Sequence, residues 1–360
     1  MRWLSIILCL NVLPVLSQTD TLRAYKGLQA RLHYGFIFAH SEHVQNTAGA
    51  HPRGIEIEYV KQKVDTTTWD NCRCYPTTGL SLSYFNYNTP ILGHSVTVSY
   101  FLEPAYRIGR KGQFRFRGGI GLSYLTDPYD AHFNPTNMSY STKLGGYLQL
   151  GVGAGLQVAP QWLLQAAVNY QHISNGGVKE PNKGINWPTA SVGATWQRQP
   201  YQLPFYRRRN LNQLINNQPY VEATVWLSAK QGRQQGGGTA RTALGGVNLQ
   251  VSKQVGRTSA LNSAIELSFD NALYQRLVHD SVAGSAVRAG VLFGHEFLLG
   301  RFFLSQQLGV YAFSRSPYYN RLCHRWALRY RVNEHWLLGF GLKAHRQVAD
   351  FIDLRLSYRF

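Results

Sequence analysis

Ile352-Asp353-Leu354-Arg355-Leu356-Ser357-Tyr358-Arg359-Phe360 closes the chain, and its reading decides the fold. Ile352, Leu354, Leu356, Tyr358 and Phe360 are apolar, whereas Asp353, Arg355, Ser357 and Arg359 between them are not. Successive side chains of a strand point to opposite faces, so strict alternation marks a strand with one apolar and one polar face. Working back from the end, the same period returns near 336–344, 323–332, 301–313, 288–298, 260–269, 243–253 and 220–227. It runs on through 146–158, where Leu148, Leu150, Val152, Ala154, Leu156 and Val158 oppose Gln149, Gly151, Gly153 and Gly155. It is also present near 113–125, 93–102, 79–87, 54–61 and 28–38, and no segment shows a helical period over a useful length.

Mean hydropathy is only −0.25, a value that elsewhere marks a soluble chain. Alternating strands cancel in any such average, so composition is the better guide. The 34 Gly, 22 Tyr, 17 Phe and 8 Trp suit barrel strands with aromatic girdles at the membrane interfaces. The expected fold is all-β: a transmembrane antiparallel β-barrel of the outer membrane with about 16 strands, within a range of roughly 12–16. The terminal strand ending on Phe360 resembles the closing signal of bacterial outer-membrane barrels.

At the other end, Met1-Arg2-Trp3 and the apolar run to Leu16 read as a secretory signal peptide, residues 1–17, cleaved before Gln18. The run is too short for a spanning helix. Residues 18–360 are then expected to form a single barrel domain in the bacterial outer membrane. The polar, basic stretch 197–218, with Tyr206-Arg207-Arg208-Arg209, reads as a long turn inside it. Of the four cysteines, Cys9 leaves with the signal, and Cys72, Cys74 and Cys323 give no pairing from spacing alone. The formal charge of +19 calls for an anionic partner or a basic lumen. Export excludes nucleic acid, and the phosphates of lipopolysaccharide are the anions an outer-membrane protein meets.

One hairpin, 162–197, breaks the pattern in an informative way. Leu164, Ala166, Val168 and Tyr170 share an apolar parity, and His172 and Ser174 continue it. After a loop with Gly176, Gly177, Pro181 and Gly184, the next strand places Asn186 on the apolar parity of Pro188, Ala190 and Val192. An imidazole base, a hydroxyl and an orienting amide are the parts of a nucleophilic hydrolase. Residues i and i+2 of a strand lie roughly 6–7 Å apart on one face. Counting back through the loop pairs 174 with 186. With the N-terminus periplasmic, the His172 strand is the seventh and runs outward, which sets the trio at the outer rim facing lipid. The loop around Asn175, Gly177 and Asn182 offers donors for a developing oxyanion. The same residues also suit an interfacial rim with no chemistry, and His-x-Ser alone is a weak motif.

The wider string His172-Ile173-Ser174-Asn175-Gly176-Gly177-Val178-Lys179-Glu180-Pro181-Asn182-Lys183-Gly184 resembles the lipid A 3-O-deacylase (PagL-type) family and its longer members, the acyloxyacyl hydrolases. The resemblance implies an outer-membrane barrel esterase. His172 would be its base and Ser174 its nucleophile, with Asn175, Gly177 and Asn182 in the oxyanion segment. Lipid A of lipopolysaccharide would be the substrate, outer-membrane lipid the surroundings, and no metal or other cofactor is implied. The chain departs from the family at the third catalytic position, where Asn186 stands in place of Glu; Glu180, mid-loop, ranks below Asn186 as a substitute. Two rivals belong to other classes: a channel or transporter barrel with a basic lumen, and a non-catalytic structural or adhesion barrel. His40, His43 and His51 match no standard metal-ligand spacing and read as a solvated outer loop.

Overall fold

The computed structural model describes residues 24–200, 202–207, 215–216, 218–233, 239–318, 321–345 and 348–360. The expected signal segment 1–17, Arg208 and Arg209 lie outside the described residues.

The alternating segments form strands throughout. The first set is β1 (Ala24–Gly35), β2 (Arg53–Lys63), β3 (Thr77–Asn86), β4 (His94–Glu103), β5 (Ala105–Ile108), β6 (Gly112–Leu125), β7 (Leu144–Ala159), β8 (Trp162–Ser174) and β9 (Ile185–Gln197). The second is β10 (Tyr220–Arg233), β11 (Thr239–Gln254), β12 (Ser259–Asp270), β13 (Val287–Leu299), β14 (Phe302–Ser314), β15 (Leu322–Arg331), β16 (Trp336–His345) and β17 (Val348–Arg359). Among the described residues two short α-helices interrupt them, α1 (Thr66–Cys72) and α2 (Asn271–His279), besides a 3-10 turn at Glu42–Thr47. Each α-helix is opened by an aspartate, Asp65 or Asp270, whose carboxylate accepts a first-turn N–H.

The strand number is as expected, but the strands do not share one barrel. β9 pairs back onto β1, and β4 pairs with β6, which closes the first set with β5 left as a short hairpin arm. β10 pairs with β17 and closes the second set as an eight-stranded barrel. The stretch 197–218 is therefore the connection between two barrels, not a long turn within one. All neighbouring strands are antiparallel, and closing each sheet on itself pairs most of the backbone within it, as a hydrocarbon environment requires; the β10–β17 seam is the short one, paired only over Glu222–Leu227 and Leu354–Arg359.

Both outer walls are apolar and exposed, with Leu32, Leu122, Leu150 and Val168 on the first and Leu227, Ile265, Phe293 and Leu354 on the second. Eight strands enclose a lumen that side chains just fill, and here those side chains are charged and paired. In the first barrel Arg117 lies 2.9 Å from Glu56, 2.6 Å from Glu58 and 3.1 Å from Glu103. Arg31 and Arg115 join Glu103. In the second, Arg325 binds Glu266 and Asp353, Arg329 binds Glu222 and Glu296, and Lys230 bridges Asp270 and Asp350. The lumens are neutralised, not basic. The charge surplus lies elsewhere on the molecule.

Candidate active site

The site is the outer end of the β8–β9 hairpin, the seventh and eighth strands of the first barrel. Alternation holds β8 in place: Gln165, Asn169, Gln171 and Ile173 point into the barrel and are buried, while Leu164, Val168 and Tyr170 point outward. His172 and Ser174 fall on the outward face, as expected. Ile173, Ile185 and Trp187, the inward neighbours of His172, Ser174 and Asn186, are 0–1% exposed. They pack with Phe85, Tyr87, Leu125 and Tyr147 into an apolar plug at the outer mouth. Burying each such side chain contributes roughly 1.5–3 kcal/mol. The rim residues thus stand on a stiff base.

The register differs from simple counting by two residues. His172, not Ser174, is paired with Asn186, and Ile173 with Ile185. The difference strengthens the site, because His172 Nδ1 now lies 2.7 Å from Asn186 Oδ1. The Tyr170 hydroxyl donates to the same oxygen at 2.8 Å. On the other side Asn186 Nδ2 lies 2.8 Å from His40 Nδ1. An amide has one accepting and one donating end. With Tyr170 donating to Oδ1 and Nδ2 donating to His40, the amide is oriented so that His172 Nδ1 must be the donor. That leaves His172 Nε2 as the basic nitrogen. Ser174, half-buried, makes no side-chain hydrogen bond among the described residues. Apo sites often hold this bond loose, tightening it only around substrate.

His40 is the residue that sequence reasoning missed. The chain continues along β9 past the end of β1, with Phe36 N–H on the Pro188 carbonyl and Phe38 N–H on the Asn186 carbonyl. Two residues later His40 arrives beside Asn186. His40 is exposed in an outer loop, as expected, and in addition hydrogen-bonds Asn186. His51 instead binds the Gly35 carbonyl through Nδ1.

The loop residues are brought together. Asn175 N–H donates to Asn182 Oδ1 at 2.9 Å, and Gly177 N–H to Asn175 Oδ1 at 3.0 Å. Asn175 Nδ2 donates to the Lys179 carbonyl at 2.7 Å. These amides are spent holding the loop's shape. Asn182 Nδ2 has no hydrogen-bond partner among the described residues. Glu180, exposed, accepts the Asn182 N–H through Oε2, and among the described residues no hydrogen bond or ion pair joins it to His172. Gly176, Gly177 and Gly184 all have positive φ, the region that favours glycine. At Gly184 there is a second reason: a Cβ would lie 2.6 Å from His172 Cε1. The outer loop between β6 and β7 lines the far side, where Gly184 N–H donates to the Ser139 carbonyl at 2.7 Å.

The second barrel also reaches this loop. Glu180 N–H donates to Gln231 Oε1 at 3.1 Å, and a Cβ on Gly176 would lie 2.6 Å from Ile352 Cδ1.

An imidazole, a hydroxyl and an amide that orients the imidazole thus stand together on one outward rim. The family model for lipid A 3-O-deacylase (PagL) matches residues 58–195, and that for the acyloxyacyl hydrolase C-terminal domain matches residues 221–360. Among solved structures, the outer membrane enzyme PagL is 17% identical, with 46% of this chain and 97% of that one covered and a TM-score of 0.35. Neisserial surface protein A is 11% identical, with 48% and 96% covered and a TM-score of 0.33. The N-terminal barrel of Pseudomonas aeruginosa OprF is 14% identical, with 47% and 97% covered and a TM-score of 0.28. No curated protein matches. The two family models fall one on each barrel and span most of the chain between them, and the chain belongs to the lipid A 3-O-deacylase and acyloxyacyl hydrolase family of outer-membrane proteins.

Proposed function

We propose that this protein is an outer-membrane esterase that removes an ester-linked acyl chain from lipid A by a Ser-His mechanism. The observation that carries the reading is the 2.7 Å contact between His172 Nδ1 and Asn186 Oδ1 at directly paired positions. It supports the tautomer in which Nε2 is the basic nitrogen, free to accept a proton from Ser174. Ser174 Oγ attacks the acyl carbonyl as His172 takes its proton. The tetrahedral intermediate collapses, and the C–O bond to the lipid breaks as His172 returns the proton to the leaving alkoxide. Water then cleaves the acyl-Ser174 ester by the same base. Asn182 Nδ2 is the donor left for the developing oxyanion, with Asn175 and Gly177 shaping the loop that presents it.

Asn186 holds the imidazole but brings no negative charge. A neutral amide can orient a catalytic histidine, as in Cys-His-Asn hydrolases. Tyr170 and His40 act as positioning residues for that amide. The acyl chain would lie against the outward wall below the rim, along Val168 and Val192, which are 65% and 62% exposed. That wall already faces hydrocarbon, so the chain need not leave an apolar medium.

Mass spectrometry of lipid A from cells producing the protein tests the reading. The expected result is loss of one hydroxyacyl chain relative to cells without it. Unchanged lipid A despite folded protein at the surface would overturn it. Two ion-paired lumens also favour an enzyme over a channel, so reconstitution into a planar bilayer is expected to give no steady conductance.

Gly184→Ala is expected to lower acyl release by about 100-fold, because a displacement of the imidazole by about an ångström has that scale of cost. Gel mobility of the folded barrel should not change. Activity within threefold of the parent would show that the ring has room to move.

A further inference from the structure

We propose that the end of the first barrel opposite Ser174 carries a binding site for an acidic saccharide. The two sequence features that the esterase does not use, Cys72-Arg73-Cys74 and the basic connection at Tyr206-Arg207, meet there.

Cys72 and Cys74 are joined in a disulfide. Arg73 between them is the left-handed residue that ends α1, at φ 53°, with its N–H on the Trp69 carbonyl. The connection between the barrels is tied across the same mouth. Tyr25 Oη donates to the Gln202 carbonyl at 2.7 Å, Arg107 to the Leu203 carbonyl at 3.2 Å, and Tyr206 Oη to the Val64 carbonyl at 2.8 Å. The Tyr75 hydroxyl binds the Pro204 carbonyl. Between strap, helix and the β5–β6 turn lies a cavity of about 440 Å³. Its size falls within the range of about 300–1,000 Å³ usual for small-molecule sites.

The lining is of one kind. Trp69, Tyr106 and Phe205 supply rings, Arg73, Arg107 and Arg110 supply guanidinium groups, and no carboxylate is present. Phe205 is 85% exposed although the residues on both sides of it are hydrogen-bonded down. Arg257, from the β11–β12 turn of the second barrel, donates to the Asp70 carbonyl and adds another cation at this end.

Guanidinium groups recognise planar carboxylates in a bidentate fashion. Exposed aromatic faces take flat, partly apolar rings. A simple inorganic anion would leave the rings unused, and an acyl chain would leave the guanidiniums unused. A sugar ring bearing a carboxylate uses both. The end in question carries the short turns and the connection, which single-chain outer-membrane barrels keep on the periplasmic side. Muramic acid of the cell-wall glycan has that chemistry on that side wherever no stem peptide caps its lactyl carboxyl. The site is remote from Ser174, and the inference stands or falls independently of the esterase reading.

Isothermal titration of the full chain in detergent tests it, with N-acetylglucosaminyl-N-acetylmuramic acid as probe. Neutral diacetylchitobiose is expected to bind at least about tenfold more weakly, since it lacks the carboxylate. Arg110→Glu and Phe205→Ala are each expected to weaken the acidic disaccharide by about tenfold or more; both side chains are exposed, so neither change threatens folding. No binding by the parent, equal binding of the neutral sugar, or parent-like binding by both variants would overturn the proposal. So would displacement by equimolar inorganic phosphate, or tighter binding of a short oligothymidylate, which could use the same rings and cations.

Discussion

Ser174→Ala is expected to abolish acyl release from lipid A while leaving the first barrel as stable as before. The loss in rate should be about 10⁴-fold or more, the scale at which a nucleophile is missed when its base and oxyanion donors remain. Stability should move by no more than about 0.5 kcal/mol, because the hydroxyl makes no side-chain hydrogen bond among the described residues and packs in no core. His172→Ala should fall as far, and the double variant no further than either single one, since the two act as a unit. Lipid A mass spectra and heat-dependent gel mobility read the two quantities separately. A Ser174→Ala protein with more than a tenth of parental activity would show that another group attacks the ester.

Arg117→Ala is expected to be the most damaging single change to the first barrel. Arg117 lies within ion-pair distance of Glu56, Glu58 and Glu103, donates to Gln149 at 2.8 Å, and stacks 3.6 Å above the Phe101 ring. Its removal leaves three buried carboxylates to share Arg31, Arg115 and His33. Breaking a buried pair by deleting one partner costs about 3–5 kcal/mol, and here the partner serves three acids. Urea unfolding of the barrel in lipid vesicles, followed by tryptophan emission, should show a loss of this size. Lys111→Ala, on an exposed turn, should change it by less than about 0.5 kcal/mol. A loss below 1 kcal/mol for Arg117→Ala would mean that water reaches the lumen and screens the acids.

The strands were legible because their signal is local. At 352–360 and 146–158 the period of two is unbroken, and all of those residues but Phe360 lie in β17 and β7. Closure was not legible, because the pairings of β1 with β9 and of β10 with β17 join segments far apart in a chain whose strands all carry the same alternation. Nothing in the period distinguishes one barrel from two. The rim trio was legible for the opposite reason, since His172, Ser174 and Asn186 violate the apolar parity they sit on. Their register was misread by two residues because the Asn175–Gly184 loop has three positive-φ glycines and is not a symmetric turn. His40 lies 146 residues from Asn186 and arrives by an extension of pairing beyond β1. Its position depends on tertiary structure, and no spacing rule could have found it.

An even strand number has a topological consequence. Each barrel begins and ends on the same side of the bilayer, so β9 ends and β10 begins on one side of it. A second barrel can therefore be appended to the first, or lost from it, without inverting either one. On that account the architecture is additive: each unit closes its own sheet and balances its own lumen charge, and what joins them is a tether with a few contacts at either end.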